Sequence, residues 1–325
     1  MSNAGSRAAG AQRVLAKLQD SLSNEKYYEA HQMYRTLYFR YSSQKRYPEL
    51  LDLLYDGATK LLLKNQQGSG ADLAILFVDV LVTSDAPTSD ENFSKISKLF
   101  QLINSVAPER DTFLTKALRW SGMDETKKGH PHLHKAIAQV FWKEKNYYLA
   151  RFHFMHSPDG RNCAKMLVEL HVARGFSNEA DLFIAQAVLQ YLCLQNKNAA
   201  ILAFTSYTTN HPNIMKRSPP FLLPLLNFLW FLLQAVESGK LAIFKMLCDK
   251  YRPSLGRDPS YQEYLDKIAQ IFFGVRPPPN SRPRGLFDNF LQQLLGGTEE
   301  ESDEDGASAS SSSGHNTQPM ETEMD

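Results

Sequence analysis

The sequence predicts an all-α fold, a right-handed α-solenoid of degenerate tetratricopeptide-like helical hairpins followed by a disordered acidic tail. Three observations predict it. From residue 11 to about 275, apolar residues recur at i, i+3/i+4 and i+7, and nothing alternates with period two for long. Polar clusters interrupt this pattern at 85–90, 122–129, 157–160, 175–178 and 256–259, so helices of roughly 12–18 residues with short loops number on the order of a dozen or more. Finally, one short string returns along the chain.

Glu25-Lys26-Tyr27-Tyr28-Glu29-Ala30 is echoed by Glu144-Lys145-Asn146-Tyr147-Tyr148-Leu149-Ala150. Each holds Tyr-x-x-Ala and then an aromatic, Tyr34 or Phe154. Weaker copies stand at Lys45-Arg46-Tyr47-Pro48-Glu49-Leu50, Gly175-Phe176-Ser177-Asn178-Glu179-Ala180 and Glu237-Ser238-Gly239-Lys240-Leu241-Ala242. In a helical hairpin repeat, a polar turn precedes an aromatic plug, and a small residue lets two helices approach closely. The Trp and Leu-Gly positions of the full tetratricopeptide pattern are absent, hence a degenerate array.

Taken in order, the stretch 27–41 places Tyr27, Tyr28, Met33, Tyr34, Leu37, Tyr38 and Tyr41 on a helical stripe wide enough for neighbours on two sides. The stretch 71–82 is similar and follows Gly68-Ser69-Gly70, read as a stop signal between helices. Residues 205–220 are rich in β-branched, turn and proline residues. They read either as a small β-hairpin protruding around 210–213 or as a plain long loop. The most apolar run, 221–236, contains Pro224 and Asn227 and falls short of the roughly 18–20 residues that a membrane span requires. It reads as a core helix covered on every side, with Pro224 in its first turn.

Beyond Gly274 the composition changes. Residues 276–297 read as a Pro-rich linker and a short amphipathic helix with Leu286, Phe287, Phe290, Leu291, Leu294 and Leu295 on one stripe. Residues 298–325 lack the apolar content to fold. Ser302, set among Glu and Asp, is a candidate site for an acidophilic kinase.

The chain has 325 residues, 43% hydrophobic and 22% charged, a soluble globular composition. Cys163, Cys193 and Cys248 are widely spaced, which argues against a disulfide framework or a thiolate zinc site and for reduced thiols in the cytosol. Residues 1–10 hold no apolar secretory segment. The formal charge of +1 hides an asymmetry: the tail carries nine acids and no Lys or Arg, leaving +10 on residues 1–297. Such a body fits a partner with an acidic surface. Arg7, Arg13, Lys17, Lys26, Arg35, Arg40, Lys45 and Arg46 crowd the first fifty positions, without the glycine-arginine or recognition-helix character of nucleic-acid binding.

No motif carries catalysis. Gly239-Lys240 lacks the upstream glycine of a phosphate loop, and neither a nucleophile elbow nor His-Glu-x-x-His occurs. His130, His132 and His134, with His153 and His156, form a histidine cluster, but no acid or cysteine alternates with them in the 130–134 string to complete a zinc site. Packing and helix-start roles are expected for them, and no cofactor or metal is.

Several longer strings resemble one family. They are residues 27–37, Gly129-His130-Pro131-x-Leu133-His134, Phe141-Trp142-Lys143-Glu144, Ala185-Gln186-Ala187-Val188-Leu189-Gln190, Pro224-Leu225-Leu226-Asn227-Phe228-x-Trp230-Phe231, Asp258-Pro259-x-Tyr261-x-Glu263-Tyr264-Leu265 and Phe272-Phe273-Gly274-Val275. Together, from about Gln12 to Val275, they resemble the Golgi-to-ER traffic protein four family, which includes the thirty-five-kilodalton subunit of the transmembrane-recognition complex. The resemblance implies a non-enzymatic cytosolic adaptor for tail-anchored membrane proteins. Its N-terminal half, 11–150, would face a dimeric targeting ATPase. Its C-terminal half, 151–275, would face a ubiquitin-like adaptor or the large BAG-type chaperone scaffold Scythe, masking a nuclear-localisation segment of the scaffold. Failed clients would pass to ubiquitin-dependent quality control, and the chain itself would neither enter a membrane nor bind nucleic acid.

On that reading Arg13, Lys17, Tyr27, Tyr28, Arg35 and Arg40 are the candidate ATPase-binding face. Tyr207, Ile214, Phe272 and Phe273 are the candidate scaffold-binding residues. Two other classes remain: a generic scaffold of proteasome-lid type, which would end in a winged helix with a short sheet, and a metal-dependent hydrolase using the histidines.

Overall fold

The computed structural model describes residues 2–122 and 128–276, with side chains from residue 13 onward. Among these residues every regular element is helical. In chain order they are α1 (Ser2–Ser23), α2 (Tyr27–Ser43), α3 (Tyr47–Leu63), α4 (Gln67–Thr83), α5 (Asp90–Leu102), α6 (Pro108–Ser121), α7 (Pro131–Lys143) and α8 (Tyr147–Met155). After them come α9 (Gly160–Arg174), α10 (Ala180–Cys193), α11 (Lys197–Asn210), α12 (Pro224–Ser238), α13 (Leu241–Lys250), the short α14 (Arg252–Leu255) and α15 (Ser260–Phe273). Each helix packs mainly on others one to three positions along the chain, with α15 returning onto α10, which is the topology of a solenoid.

One device joins many of the helices. Glu25, Lys45, Asn65, Asp85, Lys145 and Gln195 all have φ between 50° and 62°, a left-handed backbone that glycine usually supplies. In each case the next residue's N–H reaches back to the preceding helix: Lys26 to Ser21 O (2.8 Å), Arg46 to Tyr41 O (3.0 Å), Gln66 to Leu61 O (2.9 Å), Ala86 to Leu81 O (3.0 Å), Asn146 to Phe141 O (2.9 Å) and Asn196 to Tyr191 O (2.9 Å). These are Schellman closures. In all but the Ala86 case, the closing residue is also the N-cap of the next helix, so two helices are joined by three residues. Asn146 and Asn196 cap with their side chains as well, accepting from Leu149 N and Ala199 N.

The returning string is the start of the second helix of such a turn. Tyr27, Tyr47 and Tyr147 open α2, α3 and α8 and pack half-buried against the core. Three positions later Ala30, Leu50 and Ala150 are fully buried, and Gly70 follows Gln67 in the same way. A Cβ on Gly70 would come within 2.6 Å of Leu62 Cγ. Gly68-Ser69-Gly70 is therefore not a stop between helices but the first turn of α4, where small residues admit α3.

Two further expectations change. Residues 205–210 are helical, and no β-hairpin forms. Tyr207 and Thr208 are buried, Thr208 Oγ1 donates to Phe204 O (3.0 Å), and packing of α11 on α9 overrides the poor helix propensity. Only 211–223 is a loop. The run 221–236 does form a core helix, α12, with Pro224 at its start, but it is not covered all round: Phe231 is 39% exposed. No helix among the described residues is long and apolar enough to cross a membrane. The amphipathic stretch 286–295, the acidic tail and Ser302 lie outside the described residues.

Candidate partner-binding surfaces

At the N-terminal end α1 buries Leu18 and leaves Arg13 and Lys17, one turn apart, exposed. Neither is in an ion pair among the described residues. Tyr28 is 74% exposed, whereas Tyr27 is half-buried on the core. Arg35 is occupied within the fold: its Nη1 lies 3.2 Å from both oxygens of Asp72, and His31 Nε2 is 2.7 Å from Asp72 Oδ2. Arg40 is half-buried, and its Nη1 is enclosed without a hydrogen-bond acceptor among the described residues. The outward stripe of α2 also carries Phe39, which is 63% exposed and 5.2 Å edge-on to Tyr38. Of the six sequence candidates, Arg13, Lys17 and Tyr28 present themselves to solvent. Phe39 was missed because an aromatic inside an aromatic-rich helix reads as core.

In the C-terminal half Tyr207 is fully buried and donates its hydroxyl to Ala180 O (2.7 Å), and Ile214 is only 4% exposed. Both are structural supports for the 211–223 loop. That loop is pinned at its far end by Asn227, whose side chain accepts from Phe221 N (2.7 Å) and donates to Phe221 O (2.8 Å). Between the pins it exposes Met215 (87%) and Leu222 (72%), beside Lys216 and Arg217. Phe272 and Phe273 are half-buried, and Phe273 stacks on Phe244 with ring centroids 4.7 Å apart.

Four of the histidines form two buried pairs. His134 Nε2–H donates to Lys128 O (2.8 Å), and its Nδ1 lies 2.8 Å from His153 Nδ1. Burial holds His134 down to about 3 and His153 well below the ordinary histidine value, so both rings are neutral at pH 7. In the second pair Asn213 N–H donates to His211 Nδ1 (3.1 Å), His211 Nε2–H donates to His171 Nδ1 (2.9 Å), and His171 Nε2–H donates to Phe176 O (2.9 Å). Backbone groups at both ends fix every proton in that relay. His130 caps α7, accepting from His132 N (3.2 Å). Among the described residues no group of His, Cys, Asp or Glu is placed to hold a metal ion. Cys163 is buried and its thiol is pushed up to about 11 by desolvation, an unreactive state.

A shallow groove is lined by Gln139, Trp142, Lys143, Lys145, Asn162 and Glu169. Its carboxylate is already engaged, accepting from Trp142 Nε1 (3.1 Å), Lys145 Nζ (2.5 Å) and Tyr147 Oη (2.6 Å). Those hydrogen bonds, chiefly the one from Lys145, hold Glu169 below the usual carboxylate range, which suits a structural anchor rather than a general acid.

The family model described as Golgi to ER traffic protein 4 matches residues 44–297. The chain is 52% identical to a Golgi to ER traffic protein 4 homolog of Oryzias latipes, over 90% of each chain. It is 50% identical to the Homo sapiens homolog, over 92% of this chain and 91% of that one. A crystal structure of C. therm. Get4 superposes with a TM-score of 0.76 at 27% identity, covering 92% of this chain and 100% of the other.

Proposed function

Because the chain belongs to the Golgi to ER traffic protein 4 family, we propose that it is a non-enzymatic adaptor in the delivery of tail-anchored membrane proteins to the endoplasmic reticulum. It acts in the cytosol within a complex that includes a BAG-type chaperone scaffold and a ubiquitin-like adaptor. Its N-terminal half docks a dimeric targeting ATPase, and its C-terminal half holds the scaffold or adaptor, covering the scaffold's nuclear-localisation segment. Clients that fail insertion pass from the same complex to quality control.

The observation that supports this reading is the presence of two exposed surfaces in separate halves of one helical array, aromatic at the N-terminal end and aliphatic at the C-terminal one. Arg13 and Lys17 on α1 and Tyr28 and Phe39 on α2 are exposed cationic and aromatic side chains on two adjacent helices. Met215 and Leu222 expose apolar side chains on the 211–223 loop, on either side of Lys216 and Arg217. A charged, solvated contact associates fast and weakens with salt, as a transfer step requires. An apolar contact dissociates slowly, as a standing complex requires.

The test is capture from cytosol on the immobilised full chain. Arg13→Glu/Lys17→Glu loses the ATPase and keeps the scaffold, whereas Met215→Asp/Leu222→Asp does the reverse. Recovery of neither partner by a well-folded wild-type chain would overturn the proposal.

A further inference from the structure

The outward face of α13 has no partner among the described residues. Ile243 is 37% and Met246 59% exposed, one turn apart, while Phe244 and Leu247 on the adjoining face are buried. Lys240, Lys245 and Lys250 stand exposed around them, and none is in an ion pair among the described residues. The acids near α13 are Glu237, which is exposed, Asp249, paired with Arg252 at 2.6 Å, and Asp266 of α15, which accepts from Gln262 (2.9 Å) and helps raise the Cys248 thiol. The face is therefore apolar at its centre and cationic at its margin.

The described chain leaves the solenoid beside this face. Phe273, the last residue of α15, stacks on Phe244 of α13 with centroids 4.7 Å apart, and Val275 N–H bonds back to Ala269 O at 3.2 Å. After Arg276 come ten residues to Leu286, enough to span about 30 Å even when stiffened by Pro277, Pro278, Pro279 and Pro283. The sequence that follows complements α13 in both respects. Leu286, Phe287, Phe290, Leu291, Leu294 and Leu295 supply an apolar stripe at helical spacing, and Glu299, Glu300, Glu301, Asp303, Glu304 and Asp305 follow it directly. A ten-residue helix does not hold alone in water, but a tether this short gives its binding surface an effective concentration near the millimolar range.

We propose that residues 286–305 dock in cis on α13. The apolar stripe covers Ile243 and Met246, and the acidic run lies along Lys240, Lys245 and Lys250. The last described helices are thereby shielded by the chain's own continuation, and the acidic tail neutralises the cationic margin there instead of screening the N-terminal surface. This inference is independent of the adaptor reading.

Methionine oxidation tests it on the intact chain. Hydrogen peroxide is added to the full-length protein, and oxidation of Met246 and of Met215 is followed by peptide mass spectrometry at two protein concentrations. Bare exposure alone would let the two react at similar rates. Docking makes Met246 slower by about fivefold or more, independently of protein concentration. Phe290→Asp/Leu294→Asp, placed outside the solenoid, restores the Met215 rate. Lys245→Glu/Lys250→Glu and Glu300→Lys/Glu301→Lys each raise Met246 reactivity, and combining them returns protection. Equal rates in the wild type, or protection unmoved by Phe290→Asp/Leu294→Asp, overturns the proposal. Protection that grows with concentration also overturns it, because a second copy is then the occupant.

Discussion

Gly160 at the start of α9 lies directly against the backbone carbonyl of Ala199 in the first turn of α11. A Cβ on Gly160 would overlap that oxygen, so two helix backbones meet here with no side chain between them. Gly160→Ala must push the pair apart and is expected to cost about 3 kcal/mol. Its urea midpoint, followed by circular dichroism, should drop accordingly. Gly68→Ala, whose Cβ would meet nothing within 4 Å, should leave the midpoint unchanged or raise it.

The six left-handed non-glycine turns store correctable strain. Lys45, at φ 55°, lies at an exposed closure whose neighbours do not need its side chain. Lys45→Gly is expected to stabilise by about 1 kcal/mol, and Lys45→Val to destabilise by a similar or larger amount. Thermal melting of the two variants against wild type reads the sign directly.

The repeat explains what the sequence disclosed. Tyr27-x-x-Ala30 and Tyr147-x-x-Ala150 were legible because a plug and a small residue at fixed spacing mark a hairpin. The turn at Gln195 was not, since its left-handed position holds an ordinary polar residue instead of glycine or asparagine. Residues 205–210 misled because propensity is local, whereas burial of Tyr207 depends on Ala180, twenty-seven positions away. Candidate surface residues were the least legible of all. Arg35 and Tyr28 look alike as interface candidates in sequence, and only the fold shows that Asp72 occupies the first while solvent faces the second.

The paired histidines make stability depend on pH. His134 and His153 are held below their unfolded values by burial, so the unfolded chain binds more protons. Stability is fully present above about pH 6.5 and is lost as pH falls toward the depressed folded values, by about 1.4 kcal/mol per pH unit for each histidine. Urea midpoints at pH 7, 6 and 5 should fall progressively. A His153→Leu chain should show a shallower fall.

Phe39 separates surface from scaffold at the N-terminal end. Phe39→Ala is expected to weaken ATPase capture several-fold with little change in melting temperature. Asp72→Ala should do the opposite, costing about 1–3 kcal/mol of stability by stranding His31 and Arg35. Parallel binding and melting measurements distinguish the two.

The central claim is that one chain engages two partners through separate surfaces at the same time. Size-exclusion chromatography with light scattering, on the full chain mixed with purified scaffold and nucleotide-loaded targeting ATPase, tests this most directly. The account predicts one ternary species that loses only the ATPase at high salt. Displacement of the scaffold by the ATPase, with no ternary species at any ratio, would contradict it.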